Sequence, residues 1–81
     1  MNYKKVYVTV ELLVNTDGSM RPKQLIWKDG MTYAIDRILH LTPAASLKVG
    51  GRGIRYTVVI SGKERHLFCE DGRWFVEAYQ T

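Results

Sequence analysis

At 81 residues the chain has room for one domain around one hydrophobic core, and a domain this small buries only roughly 60% of the surface its unfolded chain exposes. Hydrophobic residues make up 46% and charged residues 25%, with no Pro-rich, Ser-rich or repetitive stretch, which excludes a disordered or low-complexity chain. Twelve Lys and Arg against eight Asp and Glu leave a formal charge of +4, which admits an anionic partner without demanding one.

Cys69 is the one cysteine, so an intrachain disulfide and any multi-cysteine metal centre are excluded and a reducing cytoplasm is expected. No stretch reaches the roughly 20 apolar residues of a membrane-spanning helix, and no membrane partner is expected.

Residues 3–14 predict the first strand, with Val6, Val8, Val10, Leu12 and Val14 on one face and Lys5, Tyr7, Thr9 and Glu11 on the other. Lys4 and Lys5 ahead of these valines imitate an export signal, but a signal needs a continuous apolar run, and here the apolar residues alternate. Asn15 to Ser19 reads as a turn, with Pro22 before the second strand at about 23–28, where Leu25 and Trp27 share a face.

Asp29-Gly30 predicts a two-residue hairpin turn. Beyond it Met31, Ala34, Ile35, Ile38 and Leu39 fall at helical spacing, so a helix over 31–41 competes with a third strand. The hairpin turn at its start and the β-forming Tyr33, Ile35 and Ile38 favour strand. Residues 42–53 form the one long loop, with room for a helical turn at 43–48. Pro43 disfavours helix at Thr42, and Gly50, Gly51 and Gly53 free the backbone.

Gly53 to Ser61 then carries Ile54, Tyr56, Val58 and Ile60 on one face, Ser61-Gly62 turns into a strand over 63–70, and Asp71-Gly72 turns into the last strand at about 73–79. The expectation is an all-β domain spanning residues 1–81, with about six antiparallel strands in a small, partly open SH3-like barrel, because few helices are available to cover a flat sheet.

Lys48, Gly50, Gly51, Arg52, Gly53 and Arg55 are the candidate anion or nucleic-acid site. Glycines let backbone N–H groups approach a phosphate and the three cations neutralise it. The spacing is not that of a phosphate-cradling loop, and the alternative is a bend where a long connection re-enters the sheet. Tyr7 and Tyr56 are candidates for stacking bases beside basic residues, as small barrels do with single strands; Trp27, Phe68 and Trp74 read as core.

Catalysis has little support. His40 and His66 are isolated, and His66 and Cys69 lie three residues apart on one strand, on opposite faces. Cys69 reads as a small buried apolar side chain. Asp17, Asp29 and Asp71 sit in turns, and an inward Asp36 would take Arg55, Tyr56 or loop backbone as its partner. No catalytic residue, metal or cofactor is expected.

From Trp27 onward, Trp27-Lys28-Asp29-Gly30, Tyr33-Ala34-Ile35-Asp36-Arg37-Ile38-Leu39, Ala44-Ala45-Ser46-Leu47-Lys48, Gly50-Gly51, Gly53-Ile54-Arg55-Tyr56-Thr57, Gly62-Lys63-Glu64, Leu67-Phe68 and Trp74-Phe75-Val76-Glu77 resemble a family of short proteins of Gram-positive bacteria to which no activity is assigned. The resemblance covers about two-thirds of the chain. Such proteins resemble small neighbours of error-prone DNA polymerase genes, which implies nucleic acid or a DNA-repair protein complex as partner and gives no residue a role. The functional expectation is a non-catalytic binding module for nucleic acid or another anion. Its alternative is a protein-interaction module or homodimer using an exposed strand edge near Trp74 to Tyr79.

Overall fold

A computed structural model describes residues 2–43 and 53–80, so Lys48, Gly50, Gly51 and Arg52 of the candidate loop, and the helical turn expected over 43–48 beyond Pro43, lie outside the described residues. Eight strands and no helix make up the described part: β1 (Asn2–Tyr7), β2 (Thr9–Val14), β3 (Met20–Ile26), β4 (Thr32–Ala34), β5 (Arg37–Pro43), β6 (Ile54–Ile60), β7 (Lys63–Glu70) and β8 (Arg73–Gln80). They form two antiparallel sheets, one ordered β1-β8-β7-β6-β5 and one ordered β2-β3-β4. The sheets do not close into a barrel, and the fold is a small, partly open β structure.

Eight strands arise where six are predicted because two of the six break and change sheets. The first breaks at Val8: Tyr7 pairs with Phe75 of β8 and Thr9 with Ile26 of β3, while the Val8 N–H donates to the Trp74 carbonyl at 3.0 Å. The third breaks at Ile35-Asp36, where the Ile35 N–H bonds the Lys23 carbonyl of one sheet at 2.9 Å and the Asp36 N–H the Val59 carbonyl of the other at 2.8 Å. Each backbone donor at these corners therefore keeps a partner, and the chain turns without leaving one orphaned. Strand wins over helix in 31–43, as its β-branched and aromatic residues favour.

Two kinds of turn join the hairpins. Ser61-Gly62 and Asp71-Gly72 have φ of 51° and 76°, and of 52° and 77°, the paired positive values of a two-residue turn matched to sheet twist. At Asn15 to Ser19 and Trp27 to Met31 only Gly18 and Gly30 are positive. Here the glycine N–H bonds back to Asn15 or Trp27 and the flanking residue closes on Ser19 or Met31. These are three-residue loops, and the predicted two-residue turn at Asp29-Gly30 is corrected accordingly. Two of the three turn aspartates bond nearby backbone as expected: Asp17 accepts from the Ser19 N–H and hydroxyl at 2.9 and 2.7 Å, and Asp29 from the Met31 N–H at 2.9 Å.

Pro22 lies inside β3 rather than ahead of it. It stands opposite Leu12 beside a register shift that leaves Lys23 as the extra residue. β4 reaches only Gln24 to Ile26, so the proline costs no ladder bond on that side. Thr42 and Pro43 likewise extend β5, opposite Arg55 and Ile54, instead of opening the loop.

The core lies between the sheets. Tyr56, Val58, Leu67 and Trp74 of the large sheet are buried, with Val8, Val10, Ile35 and Ile38 packed against them. The inward alternation predicted for the first strand holds at Val8 and Val10 and ends there, since Leu12 and Val14 are 38% and 61% exposed. A second apolar layer covers the opposite, outer face of the large sheet. Phe68 and Phe75 are 5% and 0% exposed, their rings stacked 5.1 Å apart at 7°. Both faces of the sheet are thus dry at its middle, which accounts for aromatic residues at both parities of its strands.

A candidate binding cleft between the sheets

Of the Gly-rich candidate site, Gly53 and Arg55 are described. Gly53 has φ +127°, and a Cβ built there would overlap the Cys69 carbonyl oxygen and come within 3.1 Å of Glu70 Cα. The absence of a side chain lets the start of β6 press against the end of β7. At this glycine the bend reading prevails over a phosphate cradle.

Arg55 is half-buried between Thr42 and Phe68 in the register, and its Nε is buried with no hydrogen-bond partner. The partnership with Asp36 does not form. Asp36 sits exposed at the corner between β4 and β5, where the chain changes sheets.

Arg55, Phe68, Phe75 and Tyr7 line up across four neighbouring strands on the outer face, which puts Tyr7 and Arg55 roughly 14 Å apart at three strand spacings. Tyr7 is 43% exposed, as its candidacy requires, with the Arg73 guanidinium 3.7 Å from its ring centroid. Lys5 Nζ sits 4.8 Å from the Phe75 centroid and donates to Glu70 Oε1 at 2.8 Å. Cations here pair with aromatic faces and one carboxylate. Tyr56 is corrected: it is 4% exposed on the inner face, 5.0 Å from the Trp74 ring, and has no surface on which a base can stack.

A half-open cleft of about 690 Å³ is lined by the β3–β4 hairpin, β6, β7 and the stretch of β8 beyond Phe75, where β8 no longer pairs with β7. Leu25 and Val58 form its floor, Trp27 and Tyr33 one wall, and Lys63 and Arg65 approach from the other. Leu25 pairs with Tyr33, and Trp27 lies two residues on, so all three point to one face. On β7 the inner face changes from apolar Leu67 to basic Arg65 and Lys63, opposite Val58 and Ile60. Lys28 lies 6.0 Å from the Trp27 ring centroid. Trp27 is half-buried, and the core assignment expected for it is corrected; Trp74 and Phe68 are core. The signal that identifies this wall is register: a hairpin at Asp29-Gly30 puts Tyr33 beside Leu25 and Trp27.

The groups of catalytic interest stay apart. His40 and His66 are exposed, one on each side of buried Thr57, and His66 faces away from half-buried Cys69. Burial pushes the Cys69 thiol up, disfavouring the thiolate that a nucleophile needs. Among the described residues no three of His, Cys, Asp and Glu gather as a metal site.

Among the described residues three groups hold their protons more tightly folded than unfolded. Lys5 is raised by its hydrogen bond to Glu70, and Tyr56 and Cys69 by burial. Their stabilising contribution is complete below the ordinary thiol, phenol and ammonium values of roughly 8.5, 10 and 10.4, and is lost as pH rises through the higher folded values. The melting temperature followed by circular dichroism should be level from about pH 7 to 8.5 and fall above it. A value that held or rose to about pH 11 would contradict these environments.

Comparisons with protein-family models, curated proteins and solved structures find no match for this chain.

Proposed function

We propose that the chain is a non-catalytic, SH3-like binding module of the bacterial cytoplasm that holds single-stranded nucleic acid, with the cleft between the sheets as its groove. The observation that carries this reading is the meeting of aromatic Trp27 and Tyr33 with basic Lys63 and Arg65 in one open cleft. Base stacking on such rings is tolerant of sequence, and cations alongside follow the phosphates. The +4 charge favours the encounter. Lys48, Arg52 and Arg55 supply a second set of phosphate contacts in this reading.

Fluorescence anisotropy with labelled single-stranded DNA and RNA, across a salt series, tests it. Unmodified protein should bind at low salt and lose affinity steeply as salt rises. Lys63→Ala with Arg65→Ala should flatten the log–log salt slope by roughly 0.7 for each phosphate no longer neutralised. Trp27→Ala should weaken binding by about tenfold or more, the worth of one stacked base. Replacing Lys48, Arg52 and Arg55 together with Ala measures the loop's share separately. Absence of binding by unmodified protein at low salt, with several sequences, overturns the reading.

The protein-interaction reading, at a strand edge near Trp74 to Tyr79, draws support from the way β7 and β8 part. β8 pairs with β1 from Phe75 to Gln80 but with β7 only from Arg73 to Phe75, so beyond Phe75 it has β1 on one side and the cleft on the other.

A further inference from the structure

Four strands end the two sheets, β1 and β5 the larger and β2 and β4 the smaller, while within the larger sheet β7 and β8 part beyond Phe75 and line the cleft. An unpaired strand edge templates association, and proteins blunt such edges with Lys, Pro, bulges or short length. β1 carries Lys4 and Lys5. β5 carries Arg37 and Pro43, and a register shift makes Leu39 its own extra residue. β4 has three residues. β2, Thr-Val-Glu-Leu-Leu-Val, has no Lys, Arg or Pro, and the extra residue at its register shift belongs to β3, so β2 itself stays regular.

Its outward hydrogen-bonding groups follow from the ladder. The Asn15 N–H donates to the Ser19 carbonyl at 2.8 Å, and antiparallel bonding alternates, so Leu13 is the next residue to bond β3. Leu12 and Val14 therefore turn their N–H and C=O groups to the free edge. Leu12 stands opposite Pro22, which has no N–H to exchange with it. The same strand exposes Leu12, Leu13 and Val14 at 38%, 38% and 61%, an apolar run that nothing among the described residues pairs along this edge.

We propose that the free edge of β2 pairs antiparallel with the same edge of a second copy of this chain, about a two-fold axis at Leu13. The argument for a second copy is self-complementarity. With Leu13 opposite itself, Leu12 faces the partner's Val14 and the two exchange backbone bonds in both directions. Glu11 then faces the partner's Asn15, an amide that can donate to its carboxylate. A two-fold at Glu11 would instead oppose two like charges, and one at Leu12 would set each Glu11 against a leucine. Two paired edges of six residues bury less than the roughly 1,200 Å² of a stable interface, so the dimer is weak and depends on concentration.

Sedimentation equilibrium over a concentration series should show an average mass climbing from one chain towards two. Val14→Pro removes an outward N–H that has no partner in the monomer, and should keep the protein monomeric throughout. Leu13→Lys should do the same, with melting temperatures for both close to that of the unmodified protein. Cross-linking supplies a readout independent of these variants. Residues opposite each other in a non-hydrogen-bonded pair stand about 4.5 Å apart at Cα, within disulfide range. In a Cys69→Ala background, Leu13→Cys should therefore form a disulfide dimer on mild oxidation about tenfold faster than Thr16→Cys in the adjoining turn. A mass that stays at one chain up to about 1 mM, or a Leu13→Cys cross-link no faster than the Thr16→Cys control, overturns the proposal and leaves the edge to a strand of another protein.

Discussion

Phe75→Ala should cost about 3–5 kcal/mol, the range for removing a buried aromatic side chain, and leave the domain close to unfolding at physiological temperature. Phe75 has no exposed surface; it stacks on Phe68 and meets the Tyr7 ring edge-on at 5.7 Å. A domain of this length has about 4–12 kcal/mol of stability in all. Losing a quarter or more of it should lower the melting temperature by roughly 12–40 °C. Val14→Ala, at a position 61% exposed, should change stability by less than about 0.5 kcal/mol. Urea denaturation followed by tryptophan fluorescence measures both. If Phe75→Ala cost less than about 1 kcal/mol, the outer layer would be a loose covering of the sheet and the single core between the sheets would carry the fold.

Gly53→Ala should be nearly as damaging, and the reason is backbone rather than side chain. Two costs combine at this position: a φ of +127° that side chains rarely adopt, and a Cβ that overlaps a carbonyl oxygen of the neighbouring strand. Neither Cys69 nor Glu70 can withdraw without loosening the β6–β7 pairing, so about 2–4 kcal/mol is expected. Gly30 supplies the contrast. Its φ is +88°, yet a Cβ there meets nothing within 4 Å, so Gly30→Ala should cost only about 1–2 kcal/mol, the left-handed penalty alone. Equal losses for the two substitutions in a urea titration would refute the close approach at Gly53. A large loss of nucleic-acid affinity with stability intact would return this glycine to the ligand.

The hairpins were legible because each turn writes itself into a few adjacent residues. Glycine at the positive-φ position and an aspartate or serine before it mark all four, although the difference between two- and three-residue loops lies in bonds that spacing does not show. The corners were not legible. Val6, Val8 and Val10 alternate without interruption across the break at Val8, since a strand changing its hydrogen-bonding partner keeps the direction of its side chains. The same continuity hid the break at Ile35-Asp36 and suggested an inward Asp36, which the corner turns out to solvent. Tyr56 and Tyr7 both looked like surface rings beside basic residues. Parity separates them only after the inner face of β6 is known to carry the core. The cleft depends on where β8 parts from β7, which no local pattern encodes, although the residues of its aromatic wall follow from the hairpin register.

β1 pairs along its whole length with β8, Asn2 opposite Gln80, and this shapes how the protein comes into being. Contacts between residues so distant in sequence carry a heavy loop-closure cost before they return any energy, and folds built on them assemble slowly. During synthesis β1 leaves the ribosome long before its partner β8. Until β8 follows, β1 lacks the one strand it pairs with among the described residues, and Phe75, which underlies Tyr7 and Lys5, has yet to be made. The β2–β3 hairpin, whose contacts are local, is able to form early, whereas the large sheet gains β1 only after β8 has emerged. A ribosome-stalled chain lacking β8 should therefore expose Tyr7 and the inner valines of β1 and β2 together, a state more prone to aggregation than the finished domain.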